Sequence, residues 1–112
     1  MDQSLQRFKA DFFRALAHPI RIRVLETLVA GERTVQELQT DLGADQSSVS
    51  QHLAILRNQN IVSARKSGST VRYALRDPLV GDLLGTARAI FDRHLVGTQV
   101  LLRELRREQR AR

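Results

Sequence analysis

The segment DQSSVSQHLAILRNQ, Asp45 to Gln59, sets short hydrogen-bonding side chains on the first turns of a helical pattern. Ser47, Ser48, Ser50 and Gln51 stand where alanine, glutamate or lysine would favour a helix more. At about 100° per residue, Val49, Leu53 and Leu56 share one side, with His52 at its edge. Ser47, Ser48, Gln51 and Asn58 face away from that side, and Ser50 and Arg57 lie to its flank. Short donors and acceptors at a helix start suit either of two chemistries. They cap free backbone N–H groups, or they read base edges and phosphates. Glutamine matches the edge of adenine, and serine serves either base or phosphate. Downstream, Arg65, Lys66 and Arg72 surround Gly68, a cationic set suited to phosphates or a minor groove. Taken singly, each feature has the plainer reading of a cap or a solvated surface; their order and spacing favour contact with DNA.

Other chemistry is sparse. Cysteine is absent, which excludes disulfides, thiolate metal sites and cysteine nucleophiles. Three histidines remain: His18 at a helix boundary, His52 beside a packed face, and His94 two residues after Asp92. Asp92 and His94 would point about 200° apart on one helix, so they do not chelate one ion unaided. The plainer reading of all three is structural. There is no nucleophile–base pairing, phosphate-cradling glycine loop or metal-ligand spacing, so an enzyme is not expected.

Eighteen Lys+Arg against twelve Asp+Glu give a net charge of +6, and the sequence pI is about 11.2. That balance fits a nucleic-acid binder, and also a basic domain that touches membranes or acidic partners. Almost all of the positive charge is arginine, with Lys9 and Lys66 the exceptions. No run approaches the roughly 20 apolar residues needed to span a bilayer. The start, MDQSLQRFKADFF, lacks a secretory apolar core, so a cytoplasmic location with no membrane partner is expected. At 112 residues, 42% of them hydrophobic, a single domain over 1–112 is expected.

Several elements must position these residues. Leu5, Phe8, Phe12, Phe13 and Leu16 fall at helical spacing over about Ser4 to Leu16. Pro19 opens a second helix that runs to about Ala30 and stops at Gly31. Thr34, with Glu37 three residues on, predicts a capping box for a short third helix that ends at Gly43. Asp45 is the expected N-cap of the next helix. Two short helices joined by a tight turn containing glycine, over 34–58, make a helix-turn-helix. Ile61–Lys66 and Thr70–Leu75 flank SGS and predict a hairpin within 61–76. A long helical pattern runs from Pro78 to about Glu108; Gly97 invites a kink or early end there. Residues 109–112 are expected to fray, and with them Arg110 and Arg112.

ALAHPIRIRVLETL followed by TVQELQTDLGADQSSVSQHLAILRNQNIVSARKSGSTVRYAL resembles the ArsR/SmtB group of bacterial winged-helix regulators, over roughly residues 8–77. The resemblance implies a mainly α fold with a small β-hairpin, a winged helix-turn-helix in the order α1-α2-α3-α4-β-β-α5. It also implies a homodimer on double-stranded DNA at an operator of two half-sites. By the same resemblance Gln46, Ser47, Ser50 and Gln51 face DNA, with Ser48 beside them, and Arg65 to Arg72 form the wing. Dimerisation is implied for helices 1–16 and 78–108, with Phe8, Phe12, Leu83, Leu84, Ala87, Phe91 and Leu95 as candidates.

Many members of that group sense metals, and their ligand positions are mostly vacant here. The third helix, ELQTDLG, has no cysteine. Asp77 fits the first ligand of the site on the last helix, but Leu79, Ile90 and Arg93 occupy the later positions and cannot ligate. No metal site is assigned, and no cofactor is identified. A nickel or zinc site of imidazole and carboxylate across the dimer stays open as an alternative. A winged-helix module for protein–protein assembly is another, since fold alone does not decide function. An assembly surface should carry aromatic anchors, and the phenylalanines lie on the first and last helices instead.

Overall fold

The computed structural model describes residues 2–111. Five helices and three short strands follow in order: α1 (Ser4–Leu16), α2 (Pro19–Val29), β1 (Arg33–Thr34), α3 (Val35–Leu42), α4 (Gln46–Asn58), β2 (Val62–Ser67), β3 (Thr70–Leu75) and α5 (Leu79–Ala111). Their contacts cluster into two units, Met1–Gly81 and Asp82–Arg112, where the sequence reading treats 1–112 as one domain.

In the first unit, helix ends follow the local chemistry. Pro19 starts α2 behind His18, whose Nδ1 accepts from the Ile20 N–H at 3.1 Å. The expected capping box is present: Glu37 N–H donates to Thr34 Oγ1 at 3.1 Å, and Thr34 N–H donates to Glu37 Oε1 at 3.2 Å. Gly43 closes α3 at φ 65, a conformation costly for other residues. Asp45 caps α4, its carboxylate accepting from Ser48 N–H at 2.7 Å.

The core is the inward stripe of each helix closed by the first strand of the wing. Val24, Leu25, Leu38, Val49, Leu53, Leu56, Ile61 and Val62 are fully buried. At about 1.5–3 kcal/mol for each side chain removed from water, this stripe is what clamps α4 against α2 and α3.

The sheet is one strand larger than the expected hairpin. Its order is β1-β3-β2, all antiparallel, with β1 pairing Arg33 to Tyr73 and Thr34 to Arg72. A strand of two residues leaves no alternation to detect, and Thr34 also serves as the α3 cap. Within the hairpin β2 begins at Val62 and reaches Ser67, one residue later at each end than expected. Ser67 pairs with Thr70, so Gly68 and Ser69 form a two-residue turn, with Gly68 at φ 64.

The start of α5 lies in the first unit, where a Cβ on Gly81 would meet Val29 Cγ2 at 3.3 Å. The second unit is the rest of α5. This helix runs through Gly97 to Ala111, so of the kink or early end expected at Gly97 the early end does not occur; Arg112 lies outside the described residues. One internal glycine costs about 1 kcal/mol, too little to break a long cooperative helix.

Candidate nucleic-acid interface

The burial of Val49, Leu53 and Leu56 fixes which way the rest of α4 faces. Ser47, Gln51, Ala54 and Asn58, spaced at i, i+4, i+7 and i+11, form its exposed outward line. Gln46 and Ser50 are exposed beside that line, and Ser48 is half-buried. Among the described residues, no side-chain hydrogen bond engages Gln46, Ser47, Ser50, Gln51 or Asn58. The capping work in this turn is done by Asp45, which leaves the serine hydroxyls and the Gln51 amide free for an external partner.

The wing presents a different surface. Arg65 and Arg72 are directly opposite each other across β2 and β3, so their side chains share one face of the sheet. Arg65 Nη2 donates to Glu32 Oε2 at 2.8 Å, and Arg72 Nη1 stands 3.9 Å from Glu37 Oε1. The Arg65 hydrogen bond holds the Glu32 carboxyl below its ordinary range and raises the Arg65 guanidinium. The Glu37 carboxyl is also lowered, first by the Thr34 N–H and then by the Thr34 hydroxyl. Lys66, next to Arg65 and exposed, has no ion-pair partner among the described residues.

Two of the histidines come together behind the outward face. The rings of His18 and His52 are 4.2 Å apart between centroids, tilted by 39°. Burial, then the charges of His18 and Arg21, lower the proton affinity of His52. His52 Nδ1 and Arg21 Nε are buried without a hydrogen-bond partner. His94 is elsewhere, exposed on α5 like Asp92. No three His, Asp or Glu side chains converge on a metal-sized space among the described residues.

The expected dimerisation residues divide by exposure. Phe8, Phe91 and Leu95 are exposed, while Phe12, Leu83, Leu84 and Ala87 are half-buried. Phe12 meets Phe13 edge-on at 5.5 Å. Exposed Leu5 and Phe13 on α1, and Ile90, Val96, Leu101 and Leu105 on α5, join this apolar set.

Ala54 and Glu32 are not among the residues expected from sequence alone. Ala54 could have been found from its place between Gln51 and Asn58 on the helical wheel. Glu32 could not, since its partner lies 33 residues away.

The family model for bacterial regulatory proteins of the arsR family matches residues 18–64, from the α2 cap into the wing. An uncharacterized HTH-type transcriptional regulator of Mycobacterium tuberculosis is 41% identical over 93% of this chain and 92% of its own length. The chain belongs to the arsR family. The crystal structure of a Mycobacterium tuberculosis relative, 41% identical, superposes with a TM-score of 0.79 over 86% of this chain and 97% of that one. The homodimeric winged helix-turn-helix DNA-binding domain of a Mycobacterium bovis protein is 29% identical, with a TM-score of 0.77 over 85% of this chain and 90% of that one. The probable mercury resistance operon repressor of Streptomyces lividans is 44% identical over 72% of this chain and 65% of its length. These regulators place the arsR-family chain outside the enzymes, as its residues led one to expect.

Proposed function

We propose that this arsR-family chain is a transcriptional regulator, acting as a repressor, that binds double-stranded DNA as a homodimer. The observation that carries this reading is the outward line of α4: uncharged, with three hydrogen-bonding side chains that have no side-chain hydrogen bond among the described residues, on a helix locked to the core from behind. Such a helix fits a major groove, where Ser47, Ser50 and Gln51 offer donors and acceptors to base edges and Ala54 offers a methyl contact to thymine. Gln46 and Ser48 would lie at the phosphate end of the same turn. Lys66, Arg65 and Arg72 then supply phosphate contact from the wing.

The homodimer is supported by the apolar side chains left exposed on α1 and on α5, such as Phe8, Phe13, Phe91 and Leu95, and by the homodimeric Mycobacterium bovis relative. A two-fold pair places two recognition helices about 34 Å apart, on half-sites one helical turn apart. Action in the cytoplasm belongs to this reading; no helix among the described residues is long and apolar enough to cross a membrane.

A mercury response does not carry over from the Streptomyces relative, because soft metals need thiolates and this chain has no cysteine. A nickel or zinc response would need a donor set completed across the dimer. Isothermal titration with both metals tests it: absence of heat, with unchanged operator affinity, removes the idea. Recovery of bound genomic DNA followed by binding to the recovered fragments tests the main reading. A fragment set with a shared two-half-site sequence is expected, and binding indifferent to sequence would overturn it.

A further inference from the structure

Two arginines opposed on one sheet face repel each other, and like charges at directly opposed positions weaken a β ladder. Two carboxylates offset that repulsion here, but they are held differently. Glu37 is bound into the α3 cap, its Oε1 accepting from Thr34 N–H, and it stands 3.9 Å from Arg72. Leaving Arg72 would gain it nothing without opening the capping box.

Glu32 precedes β1 and follows Gly31, whose φ of 144 belongs to a turn that favours glycine. The one side-chain hydrogen bond of its carboxylate, among the described residues, is with Arg65 at 2.8 Å. The pair is exposed, with side-chain accessibilities of 60% for Arg65 and 40% for Glu32. Exposed pairs contribute little to stability, so this contact can open at small cost. A guanidinium fork donates to a carboxylate or to a phosphate in the same bidentate manner. The two anions therefore compete for the same donors.

We infer that Glu32 is an internal counter-ion of the wing, holding Arg65 in the free protein and giving way to a backbone phosphate when DNA binds. The exchange makes Arg65 a weaker cation towards DNA than its charge implies, and Lys66 the stronger one. Glu32 thus lowers affinity for random and specific duplexes alike, because base contacts from α4 are untouched by it. This inference rests on the DNA-binding reading above.

The test compares Glu32→Gln with Glu26→Gln, a surface carboxylate on α2 outside any ion pair among the described residues, which controls for the change in net charge. Affinity for random duplex and for a recovered operator is measured against salt, with and without Arg65→Ala. E32Q is expected to bind both duplexes up to about tenfold more tightly than E26Q and to steepen the salt slope by up to about 0.9. In the R65A background that advantage should vanish. Equal behaviour of E32Q and E26Q, weaker binding by E32Q, or an advantage that survives R65A would each overturn the inference. Wild-type protein that binds neither duplex would instead remove the DNA-binding reading, and this inference with it.

Discussion

The outward face of α4 and the face of the wing are both polar, yet in the proposed DNA-binding role they are prepared in opposite ways. On α4 the side chains are neutral, short and without internal partners, and the helix beneath them is anchored by three fully buried residues. On the wing the arginines are long, charged and already matched by carboxylates. A neutral amide or hydroxyl loses little water when it meets a base edge, and its bond is lost whenever the base is wrong. A paired guanidinium must first give up its carboxylate, and a phosphate is the same at every step. Under the proposed function, the helix is thus suited to discrimination and the wing to adjustable, salt-sensitive affinity.

The sharpest way to break this contrast is Gln51→Ala. It should cost about 1–3 kcal/mol on the specific site and relax base choice, while random-duplex affinity and the salt slope stay unchanged. Equal loss on both duplexes, in a titration monitored by fluorescence anisotropy, would move Gln51 to the phosphate-binding class.

Asp45→Ala removes the α4 cap and should cost about 0.5–2 kcal/mol of stability in denaturant unfolding. Specific binding should weaken with it, because the first turn that carries Ser47 loses its order, and the wing's salt slope should not move.

Lys66→Ala should weaken all duplexes alike and flatten the salt slope by about 0.9. Arg65→Ala should also flatten the slope, by less than Lys66→Ala, since its charge is shared with Glu32. A larger effect at Arg65 than at Lys66 would contradict the contrast as drawn.

The smallest effect concerns the histidine pair behind α4. Burial lowers His52 from its ordinary value of 6.5, so the unfolded chain takes up the proton first as pH falls. Its contribution to stability is therefore present above about pH 6.5 and declines as pH drops towards the folded value. His52→Gln should flatten the dependence of the unfolding midpoint between about pH 7 and pH 5. An unchanged dependence would place the titrating group elsewhere.

Much of this was legible in the residues because it is local. Thr34 with Glu37, Asp45, Pro19 and Gly43 mark helix ends by chemistry that acts within one turn, and the structure has each at the expected boundary. The inward stripe of α4 follows from helical period alone. Non-local features were not legible. The β1 strand exists because β3 offers it a partner about 40 residues later in the chain. His52 looked like a packed residue, and its stacking on His18 depends on how α2 and α4 meet. Gly97 does not end α5, because one weak position is outweighed by its helix-forming neighbours.

By itself the sequence determined where the first four helices start and stop, which side of α4 is apolar, the basic charge of the wing, and the absence of thiolate chemistry. Each follows from propensity, period or composition, which need no distant partner. Tertiary structure alone decided that Arg65 is held by Glu32 and Arg72 faces Glu37, while Lys66 has no ion-pair partner among the described residues. Charges separated by 33 residues acquire their neighbours only when β1 joins the sheet and brings the end of the α2–β1 turn beside the wing.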